Sequence, residues 1–175
     1  MRILQIVQGF PSEIVAGTEL YCQALTQALN QNGHQCFVLA GSSQQHGEPA
    51  LVTTEQEGIC ISRYVSPFSS SWREQEIDPY NPEAELLIRR HLEIIKPDVI
   101  HVHHWIRLTN TIVSLAEELG IPTVVTLHDL WTTCNRIHRQ HRQGYFCQQP
   151  PSPSLCVSCV EKLPWQQEEL SLIHI

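Results

Sequence analysis

Short apolar runs, each long enough for one buried strand, alternate along this chain with segments whose apolar residues recur at helical spacing. The strand-like runs cover residues 2–8, 36–40, 58–65, 99–103 and 122–127, and the helical segments cover residues 18–32, 83–95 and 109–119. Strands that alternate with helices in this order imply right-handed crossovers. We therefore predict an α/β fold: a single Rossmann-like domain with a doubly wound, mainly parallel sheet.

Local signals refine the first helix and the connections. In segment 18–32, Thr18 is a plausible N-cap and an Asn-Gly pair at 32–33 predicts the end. The apolar residues that recur at helical spacing in this segment are Leu20, Ala24, Leu25, Ala28 and Leu29. The polar stretch 41–56 and the Ser- and Pro-rich stretch 66–82 predict surface loops.

In a doubly wound sheet, the ligand crevice lies beyond the carboxyl ends of the strands. The residues that directly follow the predicted strands are therefore the candidates for function. They are the loop 9–17, the His103-His104 pair and the His128-Asp129 pair.

Composition narrows the class of protein. The chain has 175 residues, of which 42% are hydrophobic and 17% charged, which fits one folded domain. Its net charge of −7 argues against a nucleic-acid partner, because phosphate binding needs a positive surface. No apolar run approaches the ~20 residues of a membrane span, and no signal peptide is recognisable. These features predict a cytoplasmic protein.

Four cysteines cluster late in the chain, at Cys134, Cys147, Cys156 and Cys159. Four thiolates are the right number for a closed tetrahedral zinc site, and the last two form a familiar Cys-x-x-Cys half-site. The alternative is four independent thiols. We expect residues 1–133 to form the Rossmann-like domain, 134–160 a Cys-rich loop inserted in it, and 161–175 the start of a helix. The last residues, 171–175, resemble a translated sequencing adaptor and are set aside.

Within the Cys-rich loop, basic residues follow one another without an acidic neighbour. They are Arg136, His138, Arg139, His141 and Arg142. Such a segment could contact an anionic acceptor or lipid headgroups at the inner face of a membrane. The alternative is an ordinary solvated loop.

Four short motifs, taken in order, give the chain a resemblance to a known family. They are Ala-Gly-Thr-Glu at 16–19, Gly-His at 33–34, Asp-Val-Ile-His-Val-His at 98–103 and a strand ending in His-Asp at 128–129. This series resembles the N-terminal, acceptor-side domain of family 4 glycosyltransferases, which have the two-domain GT-B fold. The first motif departs from the family in having alanine where a first glycine is usual.

The resemblance implies a retaining glycosyltransferase that moves a sugar from a nucleotide-sugar donor to a saccharide or lipid-linked acceptor. The donor would act as co-substrate and bind mostly to a second, C-terminal domain that carries a pair of glutamates. Because no such pair is found here, we expect a truncated chain that is inactive by itself. The family's front-face mechanism uses the donor phosphate to assist acceptor deprotonation. A protein nucleophile is therefore not expected, and the resemblance also implies that catalysis needs no metal.

The resemblance also implies roles for particular residues. It makes His128 the catalytic candidate, which would bind donor sugar hydroxyls or stabilise charge in the transition state. Gly17, Thr18 and Glu19 would bind substrate where the loop meets the helix N-terminus, although they could instead simply start that helix.

Two further positions have alternatives. His103 would bind substrate, although together with His101 it could ligate a metal or only satisfy hydrogen bonds at the strand end. Asp129 would bind substrate or orient His128, although it could instead cap the next helix. For the chain as a whole, the alternative function is a non-catalytic α/β binding module whose Cys-rich loop is fastened by a metal.

Overall fold

The computed structural model describes residues 1–67, 80–134, 139–141, 143–148, 152, 154, 156 and 159. Contacts divide the chain into two compact units, Met1–His128 and Asp129–Ile175. The division falls at 128/129, whereas the predicted boundary of the Rossmann-like domain is 133/134. Most of residues 66–82 and all of 161–175, for which we predict a loop and a helix start, lie outside the described residues.

Nine elements make up the described part of the first unit. The strands are β1 (Arg2–Val7), β2 (Gln35–Gln45), β3 (Ala50–Gln56), β4 (Ile59–Ser66), β5 (Val99–Val102) and β6 (Thr123–Val125). The helices are α1 (Gly17–Gln31), α2 (Pro82–Ile95) and α3 (Ile112–Glu118). Each helix and each strand predicted between residues 2 and 127 is present, with ends that shift by a few residues.

One sheet contains these strands in the order β3-β4-β2-β1-β5-β6. Neighbouring strands are parallel except for the β3–β4 pair, which is antiparallel. The chain therefore has the predicted α/β, doubly wound and mainly parallel sheet. Because β1 lies next to both β2 and β5, the strand order reverses at β1, and the crevice of such a sheet opens beside this strand.

The polar stretch 41–56 is not the predicted surface loop. Its first residues extend β2 to Gln45, and Ala50–Gln56 forms the edge strand β3. An antiparallel edge strand is half solvated, so its polar residues are compatible with pairing. The hairpin to β4 turns at Glu57 and Gly58, which both have positive φ (52° and 74°), as a two-residue type I′ turn requires.

The two faces of the sheet carry separate apolar clusters. Leu4 and Ile6 of β1 pack with Ile88 of α2 and Leu115 of α3 in the larger cluster. Val7 belongs to the smaller cluster on the other face, which includes Cys22 of α1. Because side chains alternate along a strand, Gln5 lies on the α1 side together with Val7.

Helix α1 begins at Gly17 after Ala16, whose side chain makes no capping hydrogen bond. The prediction that Thr18 caps this helix is therefore wrong. The helix buries Glu19, Cys22 and Thr26, whereas Leu20 is 49% exposed. The buried Glu19 accepts a hydrogen bond from the side-chain amide of Gln8, which directly follows β1.

No helix in the described part of the chain is long and apolar enough to cross a membrane.

Candidate functional site

The carboxyl ends of β1, β5 and β6 lie side by side, because β1 pairs with β5 and β5 pairs with β6. The residues that follow these strands therefore meet at one edge of the sheet. Gln8 follows β1, His103 follows β5, and His128 lies three residues beyond β6. The site described below belongs to the unit Met1–His128.

His103 is at the centre of this edge and is only 3% exposed. Its Nε2 lies 2.8 Å from the Oε1 atom of Gln5, which is fully buried on β1. Its Nδ1 lies 3.1 Å from the Nε2 atom of His128. Both ring nitrogens of His103 are thus used in hydrogen bonds that connect the sheet interior to His128.

Two more rings complete the cluster. Tyr21 of α1 makes edge contacts with the rings of His103 and His128, at centroid distances of 5.7 Å and 5.1 Å. The His101 ring lies 4.1 Å from that of His103, and its Nε2 lies 2.8 Å from the hydroxyl of Thr126. His101 and His103 therefore share one face of β5, as their spacing predicts.

The electrostatics of the cluster keep its inner histidines neutral. Burial, together with the nearby His101 and His128 rings, lowers the pKa of His103 to about 3. Burial and the proximity of His128 also lower the pKa of His101. At neutral pH, His103 can therefore transmit a hydrogen bond but does not carry a positive charge.

A second polar group lies where α1 meets β1. The Glu19 carboxylate is fully buried, and its Oε1 accepts a hydrogen bond of 2.9 Å from the Gln8 amide. Arg107, in the loop after β5, has a positive φ of 65° and donates from Nη1 to the Gln8 carbonyl at 3.4 Å. Burial lowers the pKa of Arg107, although Glu19 and Glu13 act in the opposite direction.

Glu13 holds the loop between β1 and α1 against the sheet. Its Oε1 accepts from the Ser42 hydroxyl and from the hydroxyl and backbone N–H of Ser43, and its Oε2 lies 3.3 Å from Nε of Arg63. Burial raises the pKa of this carboxyl, but the hydrogen bonds from Ser42 and Ser43 and the charge of Arg63 outweigh burial and lower it. The loop that leads to Gly17 is thus fixed from its middle.

Gly41 lets β2 approach this site closely. A Cβ atom at Gly41 would lie 2.7 Å from the Gln8 carbonyl oxygen and 2.4 Å from Cβ of Arg107. We expect Gly41→Ala to destabilise the protein by about 1–3 kcal/mol, because backbone must move to make room. Gly47→Ala, in open space, is the matched control. Urea denaturation measures both, and equal free energies of unfolding for the two variants would contradict the prediction.

The other predicted substrate-binding residues are placed as follows. Gly17 is exposed and Thr18 is partly buried in the first turn of α1, whereas Glu19 turns inward to Gln8. Asp129 lies in the second unit, where its Oδ1 accepts from the backbone N–H of Trp131 at 2.9 Å. The structure therefore brings His103 and His128 together. The described residues 130–134 form a turn and no helix, so the Asp129 contact closes a turn, and its substrate-binding role stays a prediction.

The zinc site predicted at Cys134, Cys147, Cys156 and Cys159 is not supported. All four cysteines lie in the described part of the chain and are free, yet no group of three or more His, Cys, Asp or Glu side chains there could hold a metal. Backbone contacts fasten the loop instead: Cys147 N–H donates to the Arg139 carbonyl at 2.6 Å. Cys156 remains exposed, and its sulfur accepts from Ser152 N–H at 3.5 Å.

Only part of the basic segment is described. Arg139 donates from Nε to the Cys147 carbonyl at 3.1 Å, and the His141 ring stacks on Tyr145 with centroids 4.5 Å apart. Arg136, His138 and Arg142 lie outside the described residues. The contact of this segment with an anionic acceptor or a membrane stays a prediction.

Four residues of the site are missing from the sequence-based candidates: Gln5, Gln8, Tyr21 and Arg107. The two glutamines leave a signal, because each interrupts or ends an otherwise apolar strand run. A buried polar residue in such a run needs a partner. Tyr21 and Arg107 leave none, since their positions depend on how α1 and the loop after β5 pack.

Comparison with known families identifies the class of protein to which this site belongs. The family described as Glycosyltransferase Family 4 matches residues 15–149, which is more than half of the chain. The chain belongs to glycosyltransferase family 4. The match includes α1, His103 and His128, so the cluster lies within the region that defines this family 4 domain. No curated protein sequence matches the chain.

A solved structure places this family 4 domain in the GT-B fold. Sucrose-phosphate synthase from Thermosynechococcus elongatus superposes with a TM-score of 0.50 at 16% identity, covering 74% of this chain and 33% of that one. Trehalose 6-phosphate synthase from Burkholderia multivorans gives a TM-score of 0.46 at 12% identity, covering 72% and 32%. The chain thus spans about a third of the length of these structures. The likeness to the sucrose-phosphate synthase shows that its fold matches the N-terminal half of a GT-B glycosyltransferase.

Proposed function

We propose that this chain is the acceptor-side half of a retaining glycosyltransferase. The enzyme would move a hexose from a nucleotide-sugar donor to a saccharide or lipid-linked acceptor. The observation that carries the proposal is the position of His128. It lies at the carboxyl edge of the sheet, where α/β folds bind ligands, and the His103 and Tyr21 side chains hold its ring.

His128 suits a role in binding and polarisation. It is partly exposed, while one of its nitrogens is held by His103, so the remaining ring nitrogen can meet a sugar hydroxyl. The Glu19 carboxylate of α1 is fully buried and hydrogen-bonded to Gln8, which makes it a poor nucleophile. We therefore assign no protein nucleophile. This supports front-face attack, in which the donor phosphate assists deprotonation of the acceptor.

The donor would bind mainly to a C-terminal domain of the same enzyme, and no catalytic metal is proposed. A lipid-linked acceptor would bring the enzyme to the inner face of a membrane, where the basic segment around Arg139 could contact anionic headgroups. We propose a cytoplasmic enzyme with such a peripheral contact.

The proposal is tested by supplying the two-domain enzyme with a panel of nucleotide sugars and candidate acceptors. Product formation is measured by mass spectrometry, and the anomeric configuration of the product by NMR. We expect transfer with retention. An inverted product would remove the retaining mechanism, and a lack of nucleotide release with every donor would remove the transferase proposal.

The 175 residues by themselves are expected to show no sugar transfer. They span about a third of the matched sucrose-phosphate synthase, and the donor contacts of this family are expected in the second domain. The measurement compares nucleotide release by the isolated chain and by the two-domain enzyme at equal concentration. Transfer by the isolated chain above the buffer rate would contradict this division of the site.

A further inference from the structure

Three side chains form a continuous hydrogen-bonded series from the sheet interior to the rim of the site. Gln5 Oε1 lies 2.8 Å from His103 Nε2, and His103 Nδ1 lies 3.1 Å from His128 Nε2. Gln5 is fully buried and His103 nearly so, whereas His128 is partly exposed. The series therefore has a buried end at Gln5 and a solvent-exposed end at His128.

The amide oxygen of Gln5, at the buried end, determines the direction of the hydrogen bonds. An amide oxygen only accepts, so the proton of a neutral His103 must be on Nε2. His103 Nδ1 then carries a lone pair and accepts a hydrogen bond from Nε2–H of His128. His128 Nδ1 is consequently the nitrogen that carries the lone pair.

We propose that Gln5 and His103 are positioning residues that fix the tautomer of His128. In this state, His128 offers Nδ1 as a hydrogen-bond acceptor to a hydroxyl, not an N–H donor to an oxygen. The consequence for catalysis rests on the proposed function of His128, whereas the tautomer itself does not. It specifies the contact: His128 accepts a hydrogen bond from a sugar hydroxyl group.

The neighbours of the series support a fixed direction. The surroundings of His103 disfavour its cation, and an imidazolium would have no lone pair for His128. Among the described residues, His103 is the hydrogen-bond partner of the Gln5 amide: its ring faces Gln5 Oε1, while the buried Gln5 Nε2 has no partner there. The opposite amide orientation would reverse every hydrogen bond in the series and leave Nδ1–H on His128.

The tautomers can be read directly on the 175-residue chain by long-range proton–nitrogen NMR correlations of the histidine rings. His103→Gln and His128→Ala assign the signals by their loss. We expect both His103 and His128 to be single Nε2–H tautomers at neutral pH. A His128 signal that shows Nδ1–H, or an average of both tautomers, would overturn the proposal without any use of the enzyme reaction.

Gln5→Met tests the contribution of the Gln5 amide, because methionine has a similar volume and lacks both polar atoms of the amide. We expect the His128 signal to change from one tautomer to an average of two. Gln8→Met is the matched control, because it makes the same change three residues later in the chain. The amide of Gln8 forms a hydrogen bond with Glu19 and not with a histidine. Gln8→Met should leave the His128 tautomer unchanged. An unaltered His128 signal in Gln5→Met would overturn the proposal.

In the two-domain enzyme, Gln5→Met should lower kcat by about tenfold or more, because a histidine in the other tautomer presents a proton where a lone pair is needed. The change should fall on kcat and not on KM for the donor. If Gln5→Met alters the tautomer of His128 but not kcat, Gln5 does position the His128 ring, and the catalytic role proposed for His128 is wrong.

Discussion

His128→Ala is expected to reduce the turnover of the two-domain enzyme by about 100-fold while the domain stays folded. The ring is partly exposed, and its Nε2 atom makes a hydrogen bond with the buried His103. Its removal would take away a preorganised polar group from the reacting sugar. Because the ring lies at the rim and not in the core, the free energy of unfolding should change much less than turnover.

The measurement is steady-state kinetics with thermal denaturation of the same samples. His46→Ala is the control, since His46 is an exposed histidine in the turn between β2 and β3, where its ring contacts the Glu48 carbonyl. Turnover in His46→Ala should match that of the unmodified enzyme. If His128→Ala also retained full turnover, His128 would be a structural residue that seals the edge of the cluster.

The sheet could be predicted from the sequence wherever its strands are buried on both faces. The runs that became β1 and β5 are short, apolar and followed by helical patterns, and only a parallel sheet accommodates that order. The edge strand β3 was not predicted, because it is half solvated and polar in composition. Its pairing with β4 depends on the Glu57-Gly58 turn, whose Gly residue is a weak signal when it stands alone.

Helix α1 shows why an apolar spacing can predict a helix and still misplace its buried face. The recurring leucines correctly indicated a helix, but Leu20 is largely exposed and Glu19 is buried. The side of a helix that turns inward is decided by what lies beneath it. Here Gln8 of the first strand end offers its amide to Glu19, and this match cannot be read from the helix alone.

The same limit applies to the site. His103 and His128 could be predicted because both follow predicted strands, and the carboxyl ends of parallel strands meet at one edge. Gln5 and Tyr21 could not be assigned to them, since their contacts with the histidines depend on strand register and on the rotation of α1. The four cysteines show a different limit: their spacing suggested a zinc site that the described residues do not support, and backbone hydrogen bonds hold the described part of the loop.

Acidification is expected to destabilise the domain through the same buried cluster. The pKa of His103 is about 3 in the folded protein and near its ordinary value of 6.5 in the unfolded chain. Between these two values, the unfolded chain binds a proton that the folded protein refuses. The stabilisation is therefore complete above the ordinary pKa, and it is lost progressively as the pH falls below that value.

The slope from one such group reaches at most about 1.4 kcal/mol per pH unit. Burial also lowers the pKa values of His101 and His91, so these groups act in the same direction over the same range. The lowered pKa of Glu13 adds to the loss at lower pH, where its carboxylate must be protonated before the loop is released. All four groups therefore favour unfolding in acid.

Urea denaturation at about pH 7.5, about pH 6 and about pH 5 measures the slope. His103→Gln keeps a polar side chain but cannot bind the proton, so its free energy of unfolding should fall less steeply with acid than that of the unmodified chain. His46→Gln removes an exposed histidine and should retain the original slope. If the free energy of unfolding of His103→Gln and of the unmodified chain fell equally steeply with pH, the prediction would be wrong. His103 would then bind its proton in the folded state, with more water around Gln5 than the structure indicates.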